Sequence, residues 1–199
     1  NFFDVYERTG LYQAALPLTP GREAAGVVEA VGTGVSHVAA GHRVAYVGNV
    51  SGAYSELRVV SADRIVRLPD TIDDRTAAAI MLKGLTAQML LRQVYRVRRA
   101  DRVLIHAAAG GVGSLLVPWA KHLGAWVLAL VGNASKVDHV RALGADEVLT
   151  TDDDWVTAAK AGTKGQGVHV VYDSVGKDTF WRSLDSLRAR GMMVTFGNS

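Results

Sequence analysis

Between Arg102 and Phe196 the sequence alternates short apolar runs with longer mixed ones, and this alternation narrows the possible folds more than any other feature. The runs Arg102–Ala107, Trp126–Val131, Glu147–Leu149, Val168–Tyr172 and Met192–Phe196 read as strands. The stretches Val112–Leu123, Ser135–Leu143, Trp155–Ala161 and Lys177–Leu187 read as the helices between them. Strands this apolar need cover on both faces. With right-handed crossovers, the pattern predicts a doubly wound parallel α/β sheet. Pro118 falls inside the first of these helices, where a proline costs about 3 kcal/mol and kinks the axis.

The first strand runs into a glycine turn, Val103-Leu104-Ile105-His106-Ala107-Ala108-Ala109-Gly110-Gly111-Val112-Gly113. Its spacing is that of the dinucleotide fingerprint, with Ala108 in the first glycine position. Gly110 lets the backbone approach a pyrophosphate, and Gly113 lets the helix pack closely on the strand. The helix N-terminus offers free N–H groups to the anion. The end of the second strand selects the dinucleotide. NAD binders usually carry an acidic residue there for the ribose hydroxyls, but this chain has Val131-Gly132-Asn133-Ala134-Ser135-Lys136, with no carboxylate. Asn133, Ser135 and Lys136 could surround a 2′-phosphate, which points to NADPH. The alternative reading of Ser135 is a helix cap, with Lys136 simply solvated.

Upstream the texture changes. Ala25–Gly32, Arg43–Val47 and Tyr54–Val59 read as strands, and Phe2–Arg8 as a short helix. Asp73 and Asp74 open a helix running to Met81, and a second is expected from Thr86 to Tyr95. The domains expected are residues 1–70, β-rich, and 71–199, α/β.

Several segments resemble the zinc-free quinone oxidoreductases related to zeta-crystallin, in the medium-chain dehydrogenase/reductase superfamily. They are Asn1-Phe2-Phe3-Asp4-Val5-Tyr6, Arg8-Thr9-Gly10-Leu11-Tyr12, Leu82-Lys83-Gly84-Leu85-Thr86-Ala87, His106 through Gly113, Val171-Tyr172-Asp173-Ser174-Val175-Gly176 and Phe196-Gly197-Asn198-Ser199. The resemblance runs through essentially the whole chain. It implies a partial GroES-like catalytic domain followed by a Rossmann domain, with NADPH in the cleft between them and hydride passing to a quinone. It implies Asn1 and Tyr6 facing the nicotinamide and substrate, and Tyr12 lining the cleft. Along the cofactor it implies Thr86 near the nicotinamide, Met89 further along the same helix, and Gly111 and Val112 at the pyrophosphate. Gly132, Asn133, Ala134, Ser135 and Lys136 fall at the adenosine phosphate, and Val175 and Ser199 at the ends of later strands. Thr151 stands where the family commonly has a tyrosine near the adenosine, so cofactor affinity is expected to be lower. Two alternatives stay open: an NADPH-dependent alkenal or enoyl double-bond reductase, and a non-enzymatic NADPH-binding protein of crystallin type.

The zinc-dependent relatives carry Gly-His-Glu where this chain has Gly21-Arg22-Glu23, so arginine replaces the ligand. There is no cysteine, which excludes disulfides and thiolate zinc sites, and no metal is expected. None of the six histidines has ligand spacing, and Glu23 reads as a structural acceptor more than a base. With a net charge of +3, the cluster Arg92, Arg96, Arg98, Arg99 and Arg102 reads as a solvated surface rather than a nucleic-acid site. Apolar runs are too short and too interrupted to span a membrane. The parent protein is expected to be a cytoplasmic homodimer. Both chain ends read as cuts through a longer protein.

Overall fold

A computed structural model describes residues 1–197. The chain divides into two compact units, Asn1–Leu85 and the residues from Thr86 onward. In the first unit, α1 (Phe2–Arg8) precedes an antiparallel sheet ordered β1 (Glu23–Val27), β2 (Arg43–Val47) and β3 (Ile65–Arg67). The central strand β2 buries Val44, Ala45 and Tyr46. Both α1 and β2 have the expected bounds.

Three expectations for this region are corrected. The strand expected at Ala25–Gly32 begins at Glu23 and ends at Val27, because its ladder follows β2 from Val47 back to Arg43. The stretch Tyr54–Val59 forms no strand. Its polar groups are used locally: the Tyr54 N–H donates to the Pro20 carbonyl, and the Arg58 guanidinium donates to the Val50 and Ser51 carbonyls. The two helices expected after Asp73 are one, α2 (Asp74–Met89), continued by a π turn at Leu90–Val94. The Asp73 carboxylate caps it, accepting the Thr76 N–H at 2.8 Å. Gly84 does not break the helix; a Cβ there would meet nothing within 4 Å.

In the second unit, β4 (Arg102–Ile105), β5 (Trp126–Val131), β6 (Glu147–Thr150), β7 (Val168–Asp173) and β8 (Leu187–Thr195) form one parallel sheet. Its order is β6-β5-β4-β7-β8. Between the strands lie α3 (Gly113–His122), α4 (Val137–Ala142), α5 (Trp155–Ala161) and α6 (Phe180–Asp185). Alternate strand residues face opposite ways. Val103, Ile105, Val127, Ala129, Val131, Val170 and Tyr172 share one core with Leu90, Leu91, Leu116, Val117 and Val140. Leu104, Leu128, Leu130 and Val171 share the other with Trp155 and Ala159. Each such Leu or Val contributes about 1.5–3 kcal/mol by leaving water.

The strand expected at Arg102–Ala107 ends at Ile105, the helix expected from Ser135 starts at Val137, and two elements near the end shift further. The last helix shortens to Phe180–Asp185, and the last strand starts five residues early, at Leu187. Pairing with β7 is kept by a register irregularity between Val168 and Val170, while Arg190 takes a left-handed φ of 62°. Pro118 lies on the exposed side of α3, where water can take over the carbonyl deprived of its donor.

Candidate functional site

The sheet winds outward in both directions from β4 and β7, so the loops following these two strands diverge and leave a crevice. The glycine turn follows β4. Ala107 takes a φ of 46°, the Ala108 N–H donates to the Leu130 carbonyl at 2.9 Å, and the Gly110 N–H donates to the Ala107 carbonyl at 2.8 Å. A Cβ on Gly113 would stand 2.4 Å from the Ala107 oxygen and 2.6 Å from the Ala108 Cα, so only glycine fits. A Cβ on Gly110 would stand 3.0 Å from that same oxygen. Among the described residues, the N–H groups of Gly111 and Val112 have no acceptor. They open the ten-residue helix α3. Close strand–helix packing, paired with unspent N–H groups at a positive dipole end, fits a pyrophosphate.

At the end of β5, residues Gly132, Asn133, Ala134, Ser135 and Lys136 are all exposed. Ala134–Lys136 make a 3-10 turn leading into α4, and the Ser135 hydroxyl donates to the Asn133 Oδ1 at 2.5 Å. Ser135 is therefore tied to its neighbour Asn133, and its side chain does not cap α4. Thr151 donates its N–H to the Val131 carbonyl at 3.0 Å, which sets it beside the end of β5. Met89, at the end of α2, is 40% exposed, and Thr86 is half-buried on the same helix. Val175 lies in the loop after β7. Ser199 lies outside the described residues.

A buried polar cluster at these strand ends was not anticipated. Asp173, the last residue of β7, is fully buried. Its Oδ1 accepts the Val175 and Gly176 N–H groups at 2.8 and 3.0 Å. Its Oδ2 accepts the Thr179 and Ser183 hydroxyls at 2.7 and 3.2 Å. Ser183 also meets Nε2 of His106, the residue following β4, at 2.9 Å. The His106 ring stands edge-on to Trp155 at 5.1 Å, and its Nδ1 is buried without a partner. Burial holds the imidazole down to about 4, against the opposing pull of the Asp173 charge, so the ring is neutral. A polar residue at the end of a largely apolar strand or directly after it, as Asp173 and His106 are, is the sequence signal that could have flagged the pair.

In the first unit, Tyr6 and Tyr12 meet edge-on at 5.2 Å, and Phe3 packs on Tyr12 at 5.1 Å. Asn1 donates from Nδ2 to Glu23 Oε1 at 2.6 Å, and Glu23 Oε2 accepts the Leu82 N–H at 2.6 Å. Glu23 is thus a structural acceptor between two segments. Arg22 pairs with Glu7 at 3.1 Å and lies 3.5 Å over the Phe3 ring. Among the described residues, no group of three or more His, Cys, Asp or Glu side chains could hold a metal ion. Nor is any helix there long and apolar enough to cross a membrane.

Residues 1–70 match the family described as the alcohol dehydrogenase GroES-like domain, and residues 111–199 that described as zinc-binding dehydrogenase. The whole chain is 48% identical to quinone oxidoreductase 1 of Escherichia coli strain K12, covering 62% of that protein. It is 44% identical to a 2-haloacrylate reductase of a Burkholderia species, again covering 62% of its length. The crystal structure of E. coli quinone oxidoreductase complexed with NADPH superposes with a TM-score of 0.95 at 48% identity, over all of this chain and 61% of that one. The chain thus spans somewhat under two thirds of these relatives. Fold order, glycine turn and the two domain families agree, and the chain belongs to the medium-chain dehydrogenase/reductase superfamily.

Proposed function

We propose that the protein is an NADPH-dependent quinone reductase, with residues 1–70 belonging to its GroES-like catalytic domain and 71–199 to its Rossmann domain. The observation that carries this reading is the glycine turn at the strand-order reversal, followed at the end of β5 by exposed Asn133, Ser135 and Lys136 with no carboxylate among residues 132–136. The likeness to quinone oxidoreductases at 48% identity supports it. So does the NADPH bound in the E. coli structure.

Bound NADPH would supply the hydride, and the chain's residues bind, orient and exclude water. Gly110 and Gly113 keep the backbone close, so that the N–H groups of Gly111 and Val112 donate to the pyrophosphate. Lys136, with Asn133, Ser135 and the backbone of Gly132 and Ala134, receives the 2′-phosphate beside Thr151. Thr86, Met89, Val175 and Ser199 are assigned to the nicotinamide half. Asn1, Tyr6 and Tyr12 are assigned to the quinone. Reducing the quinone takes one hydride and one proton. Water or a tyrosine hydroxyl supplies the proton to the reduced oxygen. The same reading makes the intact protein a cytoplasmic homodimer.

The second reading, reduction of an activated carbon–carbon double bond, is favoured by the 2-haloacrylate reductase likeness. NADPH oxidation by the intact protein, assayed with a quinone panel and an alkenal panel, separates the two. Quinones are expected to show the higher kcat/KM by about tenfold or more, equivalent to about 1.4 kcal/mol in the barrier. Preference for alkenals would install the second reading, and turnover of neither would overturn both.

A further inference from the structure

Helix α6 spans only six residues, yet side chains on it or just before it reach the loops after β4 and β6 and the end of β7. Arg182 donates to the Thr151 and Asp153 carbonyls in the loop after β6, at 3.3 and 2.7 Å. Ser183 reaches His106 after β4 and Asp173 at the end of β7. Thr179 donates to the same carboxylate. The Asp173 carbonyl also accepts the Phe196 N–H after β8, at 2.9 Å.

An apolar pair would pack these elements without the cost of burying a carboxylate. What a carboxylate adds is direction. Its four donors occupy about all of its acceptor sites, and two of them are the backbone N–H groups of Val175 and Gly176. The peptides beyond β7 are thus fixed relative to the residue that leads into the glycine turn. A carboxylate only accepts, so the single Ser183 hydroxyl hydrogen goes to Asp173 and the Ser183 oxygen is left to accept from Nε2–H of His106.

We propose that Asp173 and Ser183 are positioning residues, which hold the Val175–Gly176 peptides in register with the glycine turn and so set the affinity for the nicotinamide half of the dinucleotide. The inference rests on the dinucleotide reading above. A network of this kind acts by placing groups that contact the ligand, so its loss reaches affinity as well as stability.

The test is calorimetric titration of the intact protein and its Ser183→Ala and Asp173→Asn variants with NADPH, NADH and 2′,5′-ADP, alongside melting curves. Both variants should bind NADPH and NADH about tenfold more weakly, the equivalent of one hydrogen bond, and bind 2′,5′-ADP within about twofold of the parent. If Asp173→Asn fails to fold, Ser183→Ala decides. Parallel loss of all three ligands would assign the network to bulk structure and overturn the proposal. Unchanged NADPH affinity in a folded Ser183→Ala protein would overturn it too. Failure of the unsubstituted protein to bind any of the three would instead strike the dinucleotide reading itself, and the proposal with it.

Discussion

From Thr86 onward, strand residues such as Val103, Leu104, Ile105, Leu128 and Val170 are shut off from water, and the polar side chains Asp173, His106 and Ser183 sit dry among them at the strand ends. In Asn1–Leu85 only β2 is well buried, and polar side chains do much of the tying. Glu7 accepts from Arg22 and Ser51, Asp4 from the Gly21 N–H and Tyr54, and Arg43 donates to Asp74 and the Ile72 carbonyl. The first arrangement is dry, and it makes stability depend on a buried titrating ring. The second spreads its stability over pairs that water partly reaches, so each pair contributes less.

The larger expected effect is on the His106 side. Well above pH 6.5 the ring is neutral in both folded and unfolded chains. As pH falls below 6.5 the unfolded chain takes up a proton that the folded one refuses until about 4. Stability is therefore lost across that window, by about 2 kcal/mol between pH 7 and pH 5. The groups facing the ring are Asp173 from β7, Ser183 and Arg182 from α6, and Trp155 from α5. Urea unfolding at the two pH values should show that loss in the parent and little of it in His106→Gln. Equal slopes in both proteins would mean that the ring does not titrate as a dry group.

A smaller effect is expected from Glu7→Gln, which removes the charge facing Arg22 and Ser51. At pH 7 it should cost about 1 kcal/mol in the same urea assay. A cost matching that of a core truncation, about 2–5 kcal/mol, would erase the contrast between the two units.

The same contrast explains what could be read from the sequence. Strands β4, β5 and β7 and helix α5 announce themselves because parallel strands buried on both faces are runs of Val, Leu and Ile, and the glycine turn has a fixed spacing. Strand β3 is three residues long, too short for alternation to register. Tyr54–Val59 has strand-like alternation, but its polar groups are spent on loop carbonyls. The Gly111 and Val112 N–H groups were legible from the motif. The Asp173–Ser183–His106 cluster was not, because its members are 77 and 10 residues apart and only the sheet order joins them. The helix expected to end at Met81 runs on to Met89 through Gly84, because glycine marks a break only where the backbone needs its freedom, and α2 does not.

The cofactor itself offers the most direct test, through Lys136, which is exposed after β5. One charge-assisted contact with a 2′-phosphate contributes about 1.5–3 kcal/mol, or roughly one to two orders of magnitude in affinity. In the intact protein, Lys136→Ala should raise the KM for NADPH by that factor and leave the KM for NADH nearly unchanged. Equal use of NADH and NADPH by the unsubstituted protein, or no change on substitution, would contradict the assignment and reduce Lys136 to a solvated residue at the start of α4.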